Sequence, residues 1–297
     1  MMRIYAIAAF TVIALLSFAG VQMADEAAKP FATDFRYPVY FDMSGDRKDN
    51  PEPQQIYGPI YSVGPLTVNV FLVKTAEGLI LFDAGYRRDS TLVLENIRKL
   101  GFDPADVKKV FVSHWHGDHS GGGDYFARHY GAEVMVHERD AGTVRTGVFL
   151  GDTVGGPTEN VVATNDGQMF DFGDVTVKVI HTPGQTPGEV VYLITVDGPQ
   201  GKCVALAAGD APGFKSNMQS FMHSRYPGVV QDYEKTVVLL KSLEFDLYLG
   251  GHGHQVWDEM CQDGNPFVTR ANYLKMVDNR HARMRTFIEE HPEFANY

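Results

Sequence analysis

The run Ser113-His114-Trp115-His116-Gly117-Asp118-His119 places three of the chain's eleven histidines and one aspartate within six residues. Imidazole and carboxylate groups at this spacing are the ligand types of zinc. The run follows an apolar stretch, Val110-Phe111-Val112, and leads into Ser120 and the glycines 121–123. In an extended segment alternate side chains share a face, so His114, His116 and Asp118 can converge on one side. His119 breaks that parity, so the chain is expected to turn there, and Gly117 and the three following glycines make the turn easy. A polar loop that merely happens to be rich in histidine is the plainer alternative. Two alternating histidines followed by Asp-His, all at a strand end, make it a poor one.

At these residues the chain resembles the metallo-β-lactamase superfamily, whose signature is His-x-His-x-Asp-His after a strand. The resemblance implies an α/β fold, the four-layer αβ/βα sandwich, with a metal site at one edge holding one or two zinc ions. Further residues match. Leu81-Phe82-Asp83-Ala84-Gly85 has the Asp-x-Gly that supports the ligating histidines from behind. His181-Thr182-Pro183-Gly184-Gln185-Thr186-Pro187-Gly188 corresponds to a loop whose histidine ligates the first metal, and here that position is Gln185. Gln185 is thus a weak ligand or none, and His181, four residues earlier, is the alternative. Gly209-Asp210 resembles the superfamily's bridging carboxylate, with a turn or helix-cap role as the alternative. The third metallo-β-lactamase subclass has no bridging ligand there. Gly250-Gly251-His252-Gly253-His254 contains the Gly-His-Gly turn of the last ligand, which points to His252, with His254 as runner-up. The resemblance therefore assigns His114, His116 and Gln185 to one metal, and Asp118, His119 and His252 to the other, with Asp210 between or beside them. Asp118 is the expected catalytic residue, as ligand and as orienter of the attacking water. The run from Ser224 to Tyr233 is similar to the Arg-Tyr-Pro and Asp-Tyr segment of the third subclass, which the chain resembles more than the glyoxalase-type or lactonase-type branches. The match extends from Ile56 to His254.

The elements that must position these groups can be read from periodicity. Ile56–Val63, Leu66–Val73 and Leu79–Asp83 read as a strand meander between glycine turns. Thr91–Leu100 has helical spacing and stops at Gly101. Val107–Val112 is a buried strand delivering the histidine run, followed by a helix over 123–130 and a strand over Glu133–His137. His129 and His137 are expected to be surface or packing residues. Residues 147–165, rich in Gly, Thr and Asn, are expected to form a long loop bordering the site. The second half is expected to contain strands at Met169–Phe172, Val175–Ile180, Val190–Val196, Cys203–Ala208 and Asp246–Leu249. Helices are expected at Tyr233–Leu243 and Pro266–Glu290. Met218, Phe221 and Met222 fall in a loop suited to lining a cleft.

Residues 1–24 read as a signal peptide: Arg3, an apolar core from Ile4 to Phe18, then Ala19, Gly20 and Ala24. A retained anchor is the alternative, although the run is short for a spanning helix of about 20 residues. Residues 25–55, rich in Pro, Asp and Asn, read as an irregular arm, and 56–297 as one domain. Export to a periplasm or beyond is expected, with no stable membrane association after cleavage. The formal charge of −11 and the lack of a basic tract argue against nucleic acid and for a small-molecule substrate. Two cysteines, Cys203 and Cys261, are too few for a disulfide framework, and Cys203 in its apolar run reads as a buried thiol. No Gly-x-Ser-x-Gly elbow supports a serine nucleophile. The expectation is a zinc hydrolase that opens a cyclic amide or ester by attack of hydroxide, made available near neutral pH because zinc lowers the pKa of water to about 7. A β-lactam is the best single substrate. A lactonase (acyl-homoserine lactone) or thioester hydrolase, and a catalytically impaired metal- or ligand-binding protein, are the alternatives.

Overall fold

The computed structural model describes residues 52–65, 67–213, 226–253, 256 and 268–296. The signal-peptide segment, nearly all of the arm, Met218, Phe221, Met222, Arg225, His254 and Cys261 lie outside them. Among the described residues, fourteen strands form two large sheets and one small hairpin.

The first sheet has the order β1 (Gln54–Tyr57), β2 (Ile60–Ser62), β3 (Phe71–Thr75), β4 (Gly78–Phe82), β5 (Val107–Phe111), β6 (Glu133–His137), β9 (Val161–Thr164). Its pairings are antiparallel up to β4 and parallel from β4 onward. The second has the order β10 (Met169–Asp171), β11 (Val175–His181), β12 (Val190–Gly198), β13 (Gly201–Gly209), β14 (Leu247–Gly250). Only its β13–β14 pairing is parallel. Alternating apolar residues on the two inner faces meet in a core that includes Phe82, Phe111 and Tyr192. The Phe82 and Phe111 rings stack 5.3 Å apart, with Tyr192 edge-on to both at 5.4 Å. Burying each such ring contributes about 2–3 kcal/mol.

Helices cover both outer faces. On the first sheet, residues of α1 (Ser90–Lys99), α3 (Gly123–Tyr130) and α4 (Glu138–Thr146) pack into one core. On the second, α5 (Val229–Ser242) and α6 (Arg270–Glu290) pack into another. This is the αβ/βα sandwich the resemblance implies. None of the described helices is long and apolar enough to cross a membrane.

Several elements differ from the sequence reading. The expected strand over 56–63 is a hairpin, because Gly58 adopts φ +48 and turns the chain at Gly58-Pro59. β1 begins at Gln54, inside the expected irregular arm. The expected loop 147–165 contains the hairpin β7 (Val148–Phe149) and β8 (Asp152–Thr153), as well as β9, the edge strand of the first sheet. Helix α4 has weak apolar periodicity and passes unnoticed in sequence; it exists because Ala141 and Val144 bury against that sheet. The helix expected over 233–243 starts at Val229, after a left-handed Gly228. Cys203 is a buried free thiol.

Candidate metal centre

The strands β4 and β5 run parallel and end side by side, and so do β13 and β14. Carboxyl ends of adjacent parallel strands leave a crevice where ligands bind, and all seven candidate ligands converge there.

The histidine run departs from strand geometry sooner than its parity suggests. β5 stops at Phe111, and a helical turn, α2 (Gly117–Ser120), starts directly after His116. Asp118 and His119 are therefore presented by a helical turn, and strand alternation does not carry Asp118 to its place. The backbone N–H groups of His119 and Ser120 donate to the His116 carbonyl and close the turn.

Asp83 organises the floor. It sits at φ +56, immediately after β4. Its Oδ1 accepts from the Ser113 backbone at 2.7 Å, and its Oδ2 from Ser113 Oγ at 3.0 Å. Oδ2 also holds His119 Nδ1 at 2.7 Å, which leaves Nε2 of that ring facing the crevice. His252 is fixed in the same way, its Nδ1 2.6 Å from the Thr67 carbonyl. Asn69 clamps this turn by donating to the carbonyls of Gly250 and Gly251. A Cβ at Gly251 would lie 2.5 Å from the Gly209 carbonyl oxygen, so only glycine lets His252 come this close to Asp210.

The distances among the polar atoms test whether a metal fits. His119 Nε2 and His252 Nε2 are 3.2 Å apart. Asp118 Oδ2 lies 3.6 Å from His252 Nε2 and 3.8 Å from His119 Nε2. Asp210 Oδ1 is 3.1 Å from His252 Nε2, and its Oδ2 is 3.8 Å from His119 Nε2. Ligands about 2.0–2.1 Å from a tetrahedral zinc ion are about 3.3 Å from one another, so Asp118, His119 and His252 form one trio that could hold an ion, and His114, His119 and Asp210 form another that shares His119. His114 Nε2 is 4.0 Å from Asp210 Oδ2.

The electrostatics agree. Burial alone would lower the His119 pKa, but the carboxylates of Asp83, Asp118 and Asp210 raise it to about 10. Burial and Asp210 push the Asp118 carboxyl up, yet the surrounding imidazoles of His119, His252 and His116 hold it below its ordinary value. A buried cluster that holds Asp118 in its charged form favours a cation, whether proton or metal.

The remaining candidates are placed as follows. The His116 ring lies edge-on to His114 at 4.6 Å. Gln185 is buried, with Nε2 3.3 Å from both His116 Nδ1 and Asp210 Oδ2. Its loop is tied down by Thr236 Oγ1 of α5, which donates to the Pro183 carbonyl at 2.7 Å. His181 is engaged elsewhere, with Nε2 2.9 Å from the Pro187 carbonyl and its ring stacked on the buried His137. His116 and Asp118 are half-buried while His114, His119, Asp210 and His252 are buried, so the crevice opens on the side of the first two.

Sequence reasoning missed three supporting residues. Asp140 of α4 accepts from Trp115 N (3.1 Å), Thr186 Oγ1 (2.5 Å) and Gly188 N (2.8 Å), joining the histidine run to the Gln185 loop. Glu189, fully buried, accepts from Gln185 N at 3.2 Å. Arg280 of α6 donates to the carbonyls of Asp210 and Pro212. Asp140 and Arg280 act on segments distant in sequence, so nothing local marks them, and Glu189 acts within its own loop, where only its complete burial sets it apart.

A profile of the metallo-beta-lactamase superfamily matches residues 63–252, well over half of the chain and inclusive of every candidate ligand. The chain belongs to this superfamily. Among solved structures it is similar to BJP-1, a subclass B3 metallo-beta-lactamase of Bradyrhizobium japonicum, with 28% identity and a TM-score of 0.67 over 83% of this chain and 96% of that one. Among curated relatives, it is 26% identical to the lactamase-like protein aptB of Emericella nidulans over 66% of this chain and 55% of that protein. It is 28% identical to a hydroxyacylglutathione hydrolase of Rhizobium etli over 45% of this chain and 49% of that protein. The chain thus spans about half the length of these curated relatives.

Proposed function

We propose that this superfamily member is an exported zinc-dependent hydrolase that opens a cyclic amide or ester, with a β-lactam as its best single substrate. The observation that carries the proposal is the trio Asp118, His119 and His252, whose ligand atoms converge closely enough to hold one ion, with Asp210 Oδ1 beside them 3.1 Å from His252 Nε2. When bound there, zinc supplies Lewis acidity and makes hydroxide available near neutral pH. The chain's own residues do the rest. Asp83 and the Thr67 carbonyl fix the two imidazoles so that only Nε2 faces the crevice. Asp118, on the open side, would hold the ion, and its carboxylate would orient the attacking water. The likeness to BJP-1 supports the β-lactam, and the Arg3 and Ile4–Phe18 pattern supports export.

One observation favours a second reading. Asp210 is buried at the middle of the centre, within reach of Gln185, His114, His119 and His252, whereas the third subclass is expected to lack a bridging carboxylate. A thioester or lactone substrate fits that feature, and a relative named for hydroxyacylglutathione hydrolysis is consistent with it. A hydrolysis screen over β-lactams, acyl-homoserine lactones and thioesters, with zinc content measured on the same samples, separates the readings. Turnover of β-lactams alone supports the first and of thioesters or lactones the second. A zinc-loaded chain inert to all three classes would show that catalysis has been lost.

A further inference from the structure

We propose that the carboxamide of Gln185 takes the place of a metal ion: it bridges His116 and Asp210, so the centre holds one ion, not two. This rests on the metal-centre reading above and refines it.

Three observations lead there. First, Gln185 Nε2 lies 3.3 Å from His116 Nδ1 and 3.3 Å from Asp210 Oδ2. A primary amide nitrogen carries two protons and no lone pair for a metal, so it can donate to both acceptors at once. Those are the same atoms that an ion beside His114 and His116 would need. Second, the two oxygens of Asp210 are divided between the two halves of the centre. Oδ1 faces His252 Nε2 at 3.1 Å, whereas Oδ2 lies 3.3 Å from Gln185 Nε2, 3.8 Å from His119 Nε2 and 4.0 Å from His114 Nε2. The carboxylate still bridges, but one of the groups it bridges is an amide. Third, the Gln185 side chain is seated in a cradle. A Cβ at Gly213 would fall 2.2 Å from Gln185 Oε1 and 2.3 Å from its Cβ, so the backbone at Gly213 closes directly over it. Arg280, donating to the Asp210 and Pro212 carbonyls, fixes that backbone, and Glu189 accepts the Gln185 N–H from below.

Zinc binding measured by elemental analysis and by titration with a chromophoric chelator tests this on the full chain. The parent should retain about one zinc per chain after dialysis. Gln185→His, which removes the amide donor and restores an imidazole, should retain about two. Independently of how that variant folds, His116→Ala in the parent should leave the retained zinc unchanged, whereas His252→Ala should lose it. Two zinc ions of similar affinity in the parent, or loss of the retained ion in His116→Ala, would overturn the bridging amide and leave the hydrolase reading standing. A parent that binds no zinc would overturn both, so the two failures are distinguishable.

Discussion

At the scale of single residues, the centre depends on charge as much as on shape. Asp118→Asn preserves size and loses the negative charge that the proposed hydrolysis needs for binding zinc and orienting water. The expected outcome is a fall in hydrolysis of about 10²–10⁴-fold with an unchanged circular dichroism spectrum, since the side chain is one-fifth exposed on the open side of the crevice. Full activity in the variant would remove the role given to Asp118. The choice between the two histidines of the last turn is tested alongside. His252 is held by the Thr67 carbonyl and lies among the ligand atoms, while His254 is outside the described residues. His252→Ala should abolish both zinc retention and turnover, and His254→Ala should leave zinc retention intact. The reverse pattern would exchange their roles. Gln185 shows what sequence can say at this scale: the departure from the superfamily pattern is visible in the chain, but what the amide does instead depends on two acceptors contributed by other segments.

At the scale of elements, the site is assembled by hydrogen bonds between segments rather than within them. Helix α4 matters because Asp140 accepts from Trp115 and from the Thr186–Gly188 turn. Burial raises the Asp140 carboxyl to about 6, although its hydrogen bonds with Thr186, Trp115 and Gly188 lower it. An acid whose pKa is raised by folding binds more protons in the native state than in the unfolded chain. Between the unfolded value near 4 and about 6, stability therefore falls as pH rises, and the loss is complete above the folded pKa. A shift of about two units corresponds to about 3 kcal/mol. Asp140→Asn lacks this titration. The stability of the variant relative to the parent should thus improve by about 3 kcal/mol between pH 4 and pH 7, read by denaturant unfolding at each pH. A constant gap would show that Asp140 ionises in the fold as easily as in water. The segment similar to the third subclass acts at the same scale. Tyr226 donates to Asp232 at 3.2 Å, and Arg139 of α4 reaches Asp232 at 3.5 Å, so α4 and α5 are joined beside the Gln185 loop.

At the scale of the whole molecule, the centre joins the two sheets. His114, His116, Asp118 and His119 follow β5 of the first sheet, while Gln185, Asp210 and His252 follow strands of the second. An ion held from both sides binds the native state and not the separated halves. At free zinc about a thousand times the dissociation constant, it stabilises the fold by about 4 kcal/mol. Removal by a chelator should lower the melting temperature by roughly 8–16 °C for a domain of this size, and zinc should restore it. A melting temperature indifferent to chelation would place the ion outside the structural join. Export belongs to this scale as well. A mature N-terminus between Gly20 and Asp25 is expected from N-terminal sequencing, and intact Met1 on soluble cytoplasmic protein would refute it.

The sequence by itself determined the chemistry and the order of the elements. Histidine and aspartate at a strand end, and the glycine turns at 209 and 250–253, are local patterns, and local patterns survive without knowledge of the fold. Most strands and helices were legible for the same reason, because burial on one face imposes a period of two or 3.6. Tertiary structure alone decided the rest. The edge strand β9 and helix α4 carry little periodicity of their own and form because the first sheet offers them a surface. The helical turn at Gly117 overrides the strand parity that the spacing suggests. Asp140 and Arg280 act on segments distant in sequence, and the bridging amide of Gln185 requires His116 and Asp210 each to come within 3.3 Å of its Nε2. Such contacts have no sequence period, because they are set by how two sheets stack and not by how either one forms.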